Sequence, residues 1–400
     1  MGYYTLIFWI LVALLVYAYL GYGILAWFMG FIQSIFKAPK AVSLQSDLPS
    51  IAIIIPAYNE GIALKDKVVN TLTLDYPSNL VQIIIVTDGS TDASANMLKE
   101  FPQILHLHQN ERKGKMSAIN RAMTFVQQPI VVFSDANTLL NKNAIREMVK
   151  HYANEKVGGV AGEKKVMVPS SQNIIGIGEG LYWQYESAMK QLDSDLYTVV
   201  AAAGELFSMR TQLFYPLPED TILDDLMLAI SICKQGYTIT YEKNAYAIEA
   251  PSINLAEERK RKIRIASGAA QAVARLGIFP SATNWMLNFQ FFSRRVIRWL
   301  VSPISLPILF LINCVLVFYC NTSPLYQLIF ILQVLFYTMA CIGWLMYKSG
   351  KKSLLFFAPF YFVFMNGCML IGFIKQIFKP QKGTWEKAQR ASIFTADTIL

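Results

Sequence analysis

Cysteine is scarce in this chain, and the few that occur are not spaced for metal binding or for disulfides. Only five cysteines occur among 400 residues, and no two of them form a CxxC pair. Cys233 lies in a predicted helix. The other four lie in apolar sequence near the C-terminus, at Cys314, Cys320, Cys341 and Cys368. Neither a zinc site nor a disulfide framework is therefore indicated.

Charged residues are also scarce, at 16% of the chain, whereas 54% of the residues are hydrophobic. This composition is too apolar for a soluble enzyme of 400 residues. The excess is concentrated at the two ends, in residues 5–28 and 300–378. Residues 47–279 have the composition and length of one α/β domain. Composition thus predicts a soluble-type domain that is tied to a membrane.

Two common nucleotide-binding loops are missing. The chain contains no GxxxxGK(S/T) sequence and no GxGxxG sequence. The first absence argues against a P-loop nucleoside triphosphatase, and the second argues against a Rossmann-type dinucleotide site.

The apolar ends predict several membrane spans. Residues 1–36 form an N-terminal anchor that is too long for a signal-peptide core. Lys37 and Lys40 follow the anchor, so the positive-inside rule places the N-terminus outside and the central domain in the cytoplasm. About three more spans fit within residues 300–376, and residues 377–400 form a tail. Three spans would end outside, whereas the lysines of the tail favour the inside, so the side of the C-terminus stays open.

An amphipathic pattern covers residues 280–299, between the domain and these spans. Arg294, Arg295 and Arg298 alternate there with aromatic and aliphatic residues, which is typical of a helix at a membrane surface. The net charge is +9. Its basic clusters lie beside apolar segments, where they indicate a cytoplasmic face in contact with membrane lipids. We expect no nucleic-acid partner.

Strand and helix patterns alternate from residue 50 onward. Repeated βα units imply a mainly parallel sheet whose loops meet at one edge, where open α/β sheets bind ligands. Four buried strands are predicted at 51–55, 82–86, 105–108 and 130–133, with helices at 61–73, before 100 and at 116–126. Later strands are expected at 158–168, 199–210 and 236–241, and later helices at 180–189, 220–234 and 255–276.

The fourth strand ends in Ser134, Asp135, Ala136 and Asn137. A carboxylate and an amide spaced one residue apart suit a divalent cation that also takes oxygens from a diphosphate. The same residues are also typical of a cap for a helix over 138–150. On this stretch alone both interpretations stay open.

Other polar residues are expected at the same sheet edge. Asp88, Lys113 and Lys115, with backbone amides around Gly89 and Gly114, would make a place where the charge of a departing diphosphate is neutralised.

Two further groups have alternative interpretations. Asp224 and Asp225 open a predicted helix, where they either complement its dipole or include a general base. The basic run 259–264 either faces solvent or membrane, or binds phosphate.

Seven short motifs occur in an order that resembles one family, the membrane-integrated family 2 glycosyltransferases. That family includes the cellulose, chitin, hyaluronan and poly-N-acetylglucosamine synthases, and the resemblance covers about residues 51–268. The motifs are PAYNE (56–60), VTDGSTD (86–92), GKMSAIN (114–120), SDAN (134–137), GEL (204–206), LDDL (223–226) and RKIRI (261–265).

The resemblance implies a GT-A fold. This is an α/β fold with a doubly wound, mixed and mainly parallel sheet, here flanked by transmembrane helices and amphipathic interface helices. It also implies an inverting transfer from a UDP-sugar donor with Mg²⁺ or Mn²⁺. The expected location is the inner (plasma) membrane, as a multi-pass protein with a cytoplasmic catalytic domain. An export or accessory subunit is a candidate partner.

The resemblance also assigns roles to individual residues. The UDP-sugar would be held by Tyr58, Glu60 and Asp88, with Lys115 nearby, and by Asp135 and Arg264, the latter binding the leaving diphosphate. The metal would be held by Asp135 and Asn137, the general base would be Asp225, and Gly204 and Glu205 would lie at the acceptor end.

The chain departs from the family pattern at two positions. Asn137 replaces a carboxylate of the metal motif, which should weaken cation binding. Ile265 replaces the tryptophan of the QxxRW motif, which stacks on the acceptor sugar in the polymer synthases. Either Tyr182, Trp183 or Trp285 supplies a platform instead, or the enzyme adds a single sugar.

Three functions therefore stay open from the sequence. The first is the synthesis of an exopolysaccharide by addition to its growing end. The second is a single transfer to a lipid or a lipid-linked acceptor, and the third is a catalytically inactive membrane scaffold.

Overall fold

The computed structural model describes residues 2–36, 48–167, 174–320, 323–381 and 383–384. Several predicted features lie outside these residues, namely Lys37, Lys40, the last residue of the strand expected at 158–168, and residues 385–400 of the tail.

The described residues form an eight-stranded mixed sheet with the order β3-β2-β1-β4-β7-β6-β8-β5. Four neighbouring pairs are parallel (β3–β2, β2–β1, β1–β4 and β6–β8), and three are antiparallel (β4–β7, β7–β6 and β8–β5). The strands are β1 Ile51–Ala57, β2 Val81–Asp88, β3 Ile104–Gln109, β4 Ile130–Ser134, β5 Thr138–Leu140, β6 Val157–Val166, β7 Leu206–Arg210 and β8 Thr238–Glu249.

Thirteen α-helices occur among the described residues. Two short π-helical stretches, Tyr17–Gly21 and Phe292–Val301, join α1 to α2 and α10 to α11. The helices are α1 Gly2–Val16, α2 Tyr22–Phe36, α3 Ile62–Leu72, α4 Ser94–Met97, α5 Lys115–Met123, α6 Ala144–Val149, α7 Ile174–Leu196, α8 Asp224–Lys234, α9 Leu255–Leu276, α10 Trp285–Phe291, α11 Ser302–Tyr319, α12 Pro324–Lys348 and α13 Leu354–Phe378.

The two central strands are apolar because helices cover both faces of the sheet. Ile51–Ile55 and Ile130–Phe133 are buried throughout, as parallel strands in the middle of an α/β sheet must be. The register pairs Ile51 with Val81 on one side and with Ile130 on the other. The carboxyl ends of these strands therefore lie side by side, and the first four predicted strands are confirmed.

Four described helices are long and apolar enough to cross a membrane, by length and composition: Gly2–Phe36, Trp285–Tyr319, Pro324–Lys348 and Leu354–Phe378. This is the predicted number, with one at the N-terminal end and three at the C-terminal end. The N-terminal helix packs on α11 through Phe8, Leu309 and Leu316, which share one buried cluster.

The fourth of these helices, α13, lies along α9 of the central domain. The Tyr361 hydroxyl donates a hydrogen bond to Glu258 (3.1 Å), and the Ser267 hydroxyl donates one to the Gly372 carbonyl (3.0 Å). A Cβ atom at Gly372 would lie only 2.3 Å from the Ala266 Cβ, so the two helices touch backbone to backbone there. The contacts run through most of α13.

Two predicted elements are wrong. Residues 138–150 are not one helix, because Thr138–Leu140 pair with Ala247–Glu249 as strand β5 and only Ala144–Val149 are helical. These three residues are fully buried, and a β-ladder satisfies their backbone groups. The strand expected at 199–210 begins only at Leu206, since an isolated bridge from Ala203 to Leu206 turns the chain at Gly204.

The arginines of the predicted interface segment are buried. Arg294 and Arg295 are only 2% and 6% exposed, and they face Glu186 and Asp193 of α7 instead of solvent. The position of residues 280–299 relative to a membrane stays a prediction.

Candidate active site

A large cavity opens at the carboxyl ends of β1, β2 and β4. Its volume is about 2420 Å³, which exceeds the roughly 300–1,000 Å³ of ordinary ligand pockets. All ten residues to which the family resemblance assigned roles line this cavity: Tyr58, Glu60, Asp88, Lys115, Asp135, Asn137, Gly204, Glu205, Asp225 and Arg264. Lys113, which was also expected at this edge, does not line it and pairs with Glu111 at 3.6 Å.

Asp88 is fixed at the end of β2 by the loop that precedes α5. Its two carboxylate oxygens accept hydrogen bonds from the backbone N–H groups of Lys113 (3.0 Å) and Gly114 (2.7 Å). Gly114 has φ +101°, a backbone conformation that favours glycine. The loop with the GK sequence, which follows β3, thus holds the aspartate of the VTDGSTD motif at the end of β2.

Tyr58 is covered by a residue that the sequence analysis did not select. The Arg112 guanidinium lies 3.6 Å from the centre of the Tyr58 ring. Its backbone also approaches Gly89, where φ is +67° and a Cβ atom would lie 2.7 Å from the Arg112 Cβ. Gly89 is therefore needed for this approach. A single arginine beside a lysine in a loop gave no sequence signal for this stacking.

The loops after β1 and β2 are held together by side chains of the PAYNE and VTDGSTD motifs. Asn59, with φ +51°, accepts a hydrogen bond from the Thr91 N–H (2.8 Å) and donates its own N–H to Ser90 (3.1 Å). The Gly61 N–H donates to Asp92 (2.9 Å). These hydrogen bonds hold the two loops that carry Tyr58 and Asp88 in a fixed relative position.

Lys115 links two of the acids at the centre of the cavity. Its Nζ lies 2.8 Å from Asp135 Oδ1 and 3.1 Å from Asp224 Oδ2. Burial raises the pKa of Asp135, and the charge of Lys115 opposes that shift. The amine thus neutralises acids on β4 and α8 that would otherwise repel each other.

Asp225 has a different environment from its neighbour Asp224. Within the described residues it makes no ion pair, and its Oδ1 accepts a hydrogen bond from the Leu226 N–H (2.9 Å). Burial, with the nearby charge of Asp224, raises the pKa of Asp225 to about 6. A carboxylate that takes up a proton near neutral pH is suited to general base catalysis.

Arg264 brings a cation to the same acids from α9. Burial lowers the pKa of Arg264 to about 10, while the charges of Asp224, Asp135 and Asp225 act in the opposite direction. The guanidinium therefore stays charged at neutral pH.

Near Glu205, which was expected at the acceptor end, the cavity contains a buried group of charges centred on Lys164, which the sequence analysis missed. Lys164 forms ion pairs with both Glu205 and Glu249, and all three side chains are buried or nearly so. The Asn137 amide is 3.5 Å from Glu249, to which it donates. Because the amide nitrogen makes this contact, the side-chain carbonyl oxygen of Asn137 is the atom that could coordinate a cation. Lys164 is one of three consecutive charged residues, Glu163 to Lys165, and nothing in the sequence marked it as the buried one.

A second buried lysine lies behind the metal motif. Lys67, on α3, is fully buried, and its Nζ donates to the Ser134 hydroxyl (2.7 Å). Ser134 in turn donates to the Glu205 carbonyl (3.0 Å). Burial lowers the pKa of Lys67 to about 7. This chain fixes the end of β4 relative to the turn at Gly204.

The structure separates the three candidate platforms for an acceptor sugar. Trp285 is 66% exposed on the surface, whereas Tyr182 and Trp183 line the cavity, as Ile265 does. Lys164 lies 4.6 Å and Lys190 lies 5.6 Å from the Trp183 ring centre.

Part of the chain is similar in sequence to known glycosyltransferases. The sequence profile described as Glycosyl transferase family 2 matches residues 52–214. The poly-beta-1,6-N-acetyl-D-glucosamine synthase of Staphylococcus aureus is 24% identical over 264 residues, covering 62% of this chain and 63% of that protein. The probable glycosyltransferase YdaM of Bacillus subtilis is 25% identical over 252 residues, covering 58% of this chain and 57% of that protein. The chain thus spans less than two thirds of these relatives.

A solved structure confirms the fold. The mannosyltransferase PcManGT from Pyrobaculum calidifontis, in complex with GDP-Man and Mn²⁺, matches with a TM-score of 0.71 and 20% identity. The match covers 94% of this chain and 100% of that chain. The predicted GT-A fold, with long apolar helices beside the sheet, is therefore correct.

Proposed function

We propose that this chain, whose residues 52–214 match the Glycosyl transferase family 2 profile, transfers a sugar, with inversion, from a UDP-sugar to the growing end of a polysaccharide. The main support for this proposal is the composition of the cavity. Ten residues from separate segments between Tyr58 and Arg264 line one cavity, with acids and cations alternating around it.

In this mechanism Tyr58, Glu60 and Asp88 bind the uridine part of the donor. Asp225 takes the proton from the attacking acceptor hydroxyl, which makes that oxygen a better nucleophile toward the anomeric carbon. The bond from that carbon to the diphosphate then breaks. Lys115 and Arg264 stabilise the negative charge that develops on the leaving diphosphate.

A divalent cation fits the residues at the end of β4. Asp135 offers a carboxylate and Asn137 a carbonyl oxygen, and Mg²⁺ commonly takes one or two protein oxygens together with substrate phosphates. No group of three or more acidic, histidine or cysteine side chains in the described residues forms a complete cage. We therefore propose a cation that binds together with the donor, Mg²⁺ or Mn²⁺, and that would offset diphosphate charge.

A single transfer to a lipid or a lipid-linked acceptor is the second candidate. Ile265 stands where the polymer synthases carry a stacking tryptophan, and the cavity continues past Trp183 to apolar side chains of α13. An inactive scaffold is disfavoured, because the buried charges would be costly to retain without a ligand.

The proposal is tested by measuring nucleoside diphosphate release from a panel of UDP-sugars, with GDP-mannose as a comparison donor and with Mg²⁺ or Mn²⁺. Release that depends on a UDP-sugar and on an acceptor supports it. Labelled product should form a polymer ladder for a synthase, or one solvent-extractable species for a lipid transferase. No release with any donor would contradict the proposed function.

The packing of α13 suggests how the chain is arranged in a membrane. Its beginning contacts α7 through Phe357 and Gly178, and Gly383, just past its end, packs on Glu219. A helix whose two ends both contact the catalytic domain does not cross a bilayer. We propose three spans in the inner membrane, with α13 at its surface and both the catalytic domain and the C-terminus in the cytoplasm.

This arrangement predicts the outcome of reporter fusions. A fluorescent protein fused after Leu400 should fluoresce and alkaline phosphatase should be inactive there, because the C-terminus is cytoplasmic. Fusions in the loop between α11 and α12 are the control and should give the opposite pattern. An active phosphatase after Leu400 would show that α13 crosses the membrane.

A further inference from the structure

Helix α7 carries five polar side chains along one face; four of them are buried, and three of the five line the cavity. Glu179, Trp183, Glu186, Lys190 and Asp193 recur every three or four residues, the spacing of one helix face. The row passes Lys164, whose Nζ lies 4.6 Å from the centre of the Trp183 ring. It ends where α7 meets the apolar Trp285–Tyr319 helix.

At this end three arginines share two carboxylates. Arg294 lies 3.0 Å from Asp193 and 3.1 Å from Glu186, and Arg298 forms a close ion pair with Glu186. The Tyr22 hydroxyl also donates to Asp193. Arginine charge thus exceeds carboxylate charge by one in this buried cluster, which is unfavourable unless an anion is added.

Arg295 is the member of the cluster that lacks a good partner. Its nearest carboxylate oxygen, on Glu186, is 3.8 Å from Nη1, and its Nε makes no hydrogen bond to any described residue. The side chain is only 6% exposed and lines the cavity, with Trp299 stacked 4.9 Å from the guanidinium. A buried N–H group without an acceptor is rare in folded proteins and indicates a missing ligand.

The surroundings define the chemistry of that ligand. The guanidinium group matches the geometry of a phosphate, to which it donates two hydrogen bonds at once. The lining of the same cavity also includes apolar side chains, among them Leu181, Phe362, Met365 and Met369. We propose that Arg295, assisted by Arg298, binds the phosphate group of a phosphate ester carried on an apolar chain. This rests on the second candidate of the proposed function, transfer to a lipid or a lipid-linked acceptor, and names the acceptor class.

Farnesyl phosphate is a suitable probe, with farnesol as the same chain without its phosphate. Binding to the full-length protein in detergent should be at least about tenfold tighter for farnesyl phosphate than for farnesol, since the phosphate gains charge-assisted hydrogen bonds. Arg295→Gln should remove this difference, and Arg295→Lys should retain part of it. Arg146→Gln is the control, because Arg146 is exposed and pairs with Asp75 far from the cavity.

Two more ligands distinguish the sources of phosphate. Competition by inorganic phosphate with equal potency would indicate a bare anion site, and competition by phosphatidylglycerol would indicate a membrane lipid; either would overturn the acceptor assignment. Equal binding of farnesol and farnesyl phosphate by the wild-type protein would overturn the site itself, even if Arg295→Gln fails to fold. UDP binding, measured in parallel, reports on the donor site, so failure of the proposed function is seen separately.

Discussion

Replacement of Asp225 by asparagine is expected to lower kcat for sugar transfer by about 100-fold to 10,000-fold, because the general base is lost. Asparagine keeps the shape of the side chain and its acceptor for the Leu226 N–H, so UDP should bind almost as tightly as before. Transfer is measured by nucleoside diphosphate release and UDP binding by calorimetry. Asp195→Asn, on the far part of α7, is the matched control.

The same carboxylate sets a pH dependence. Because the base must be unprotonated, wild-type kcat/KM should fall about tenfold per pH unit below about pH 6. Because the pKa of Asp225 is higher in the folded protein than in the unfolded chain, ionisation of this carboxyl lowers the free energy of unfolding at neutral pH. Asp225→Asn should thus unfold at the same temperature or a higher one. Full activity in Asp225→Asn, or a flat profile in acid, would remove the assignment.

Replacement of Arg264 by alanine is expected to lower kcat by about 100-fold to 1,000-fold, the usual effect of losing a group that stabilises developing charge. The Arg264 guanidinium is close enough to Asp135, Asp224 and Asp225 to feel their charges, and the diphosphate would leave at this place. Arg264→Lys should recover part of the rate, since it keeps the charge but not the planar fork. Turnover is measured at saturating donor.

Arg275 provides the control for this substitution. It lies on the same helix and pairs with the exposed Asp220, so Arg275→Ala should leave turnover within about twofold of wild type. Unchanged turnover in Arg264→Ala, with weaker membrane association, would instead favour the interpretation of the basic run as a membrane-facing surface.

The part of the cavity formed by the motifs could be predicted from the sequence. Strands β1, β2 and β4 are short apolar runs, and each ends in polar residues. Parallel pairing then forces Tyr58, Asp88 and Asp135 to one sheet edge. Asp225 and Arg264 lie on separate helices, and for them the family resemblance was necessary.

The remaining parts of the cavity depend on tertiary contacts. The sequence gives no sign that Lys164 and Glu249 are partners, because they meet only where β6 and β8 pair in parallel. Thr138 follows residues that are typical of a helix cap, but β8 offers an open edge and the chain pairs with it. The spacing of Arg295 predicted a residue that faces lipid headgroups. In the structure it is buried and faces Glu186 of α7 instead, a contact between distant segments that the sequence does not reveal.

In the proposed mechanism, acids from separate segments of the chain surround one sugar nucleotide. The most direct measurement is calorimetric titration of UDP, with and without Mn²⁺, onto the wild-type protein and its Asp88→Asn and Asp135→Asn variants. We predict that Asp88→Asn weakens UDP binding in both conditions, and that Asp135→Asn removes the additional affinity gained with Mn²⁺. Identical titrations for all three proteins would contradict the claim.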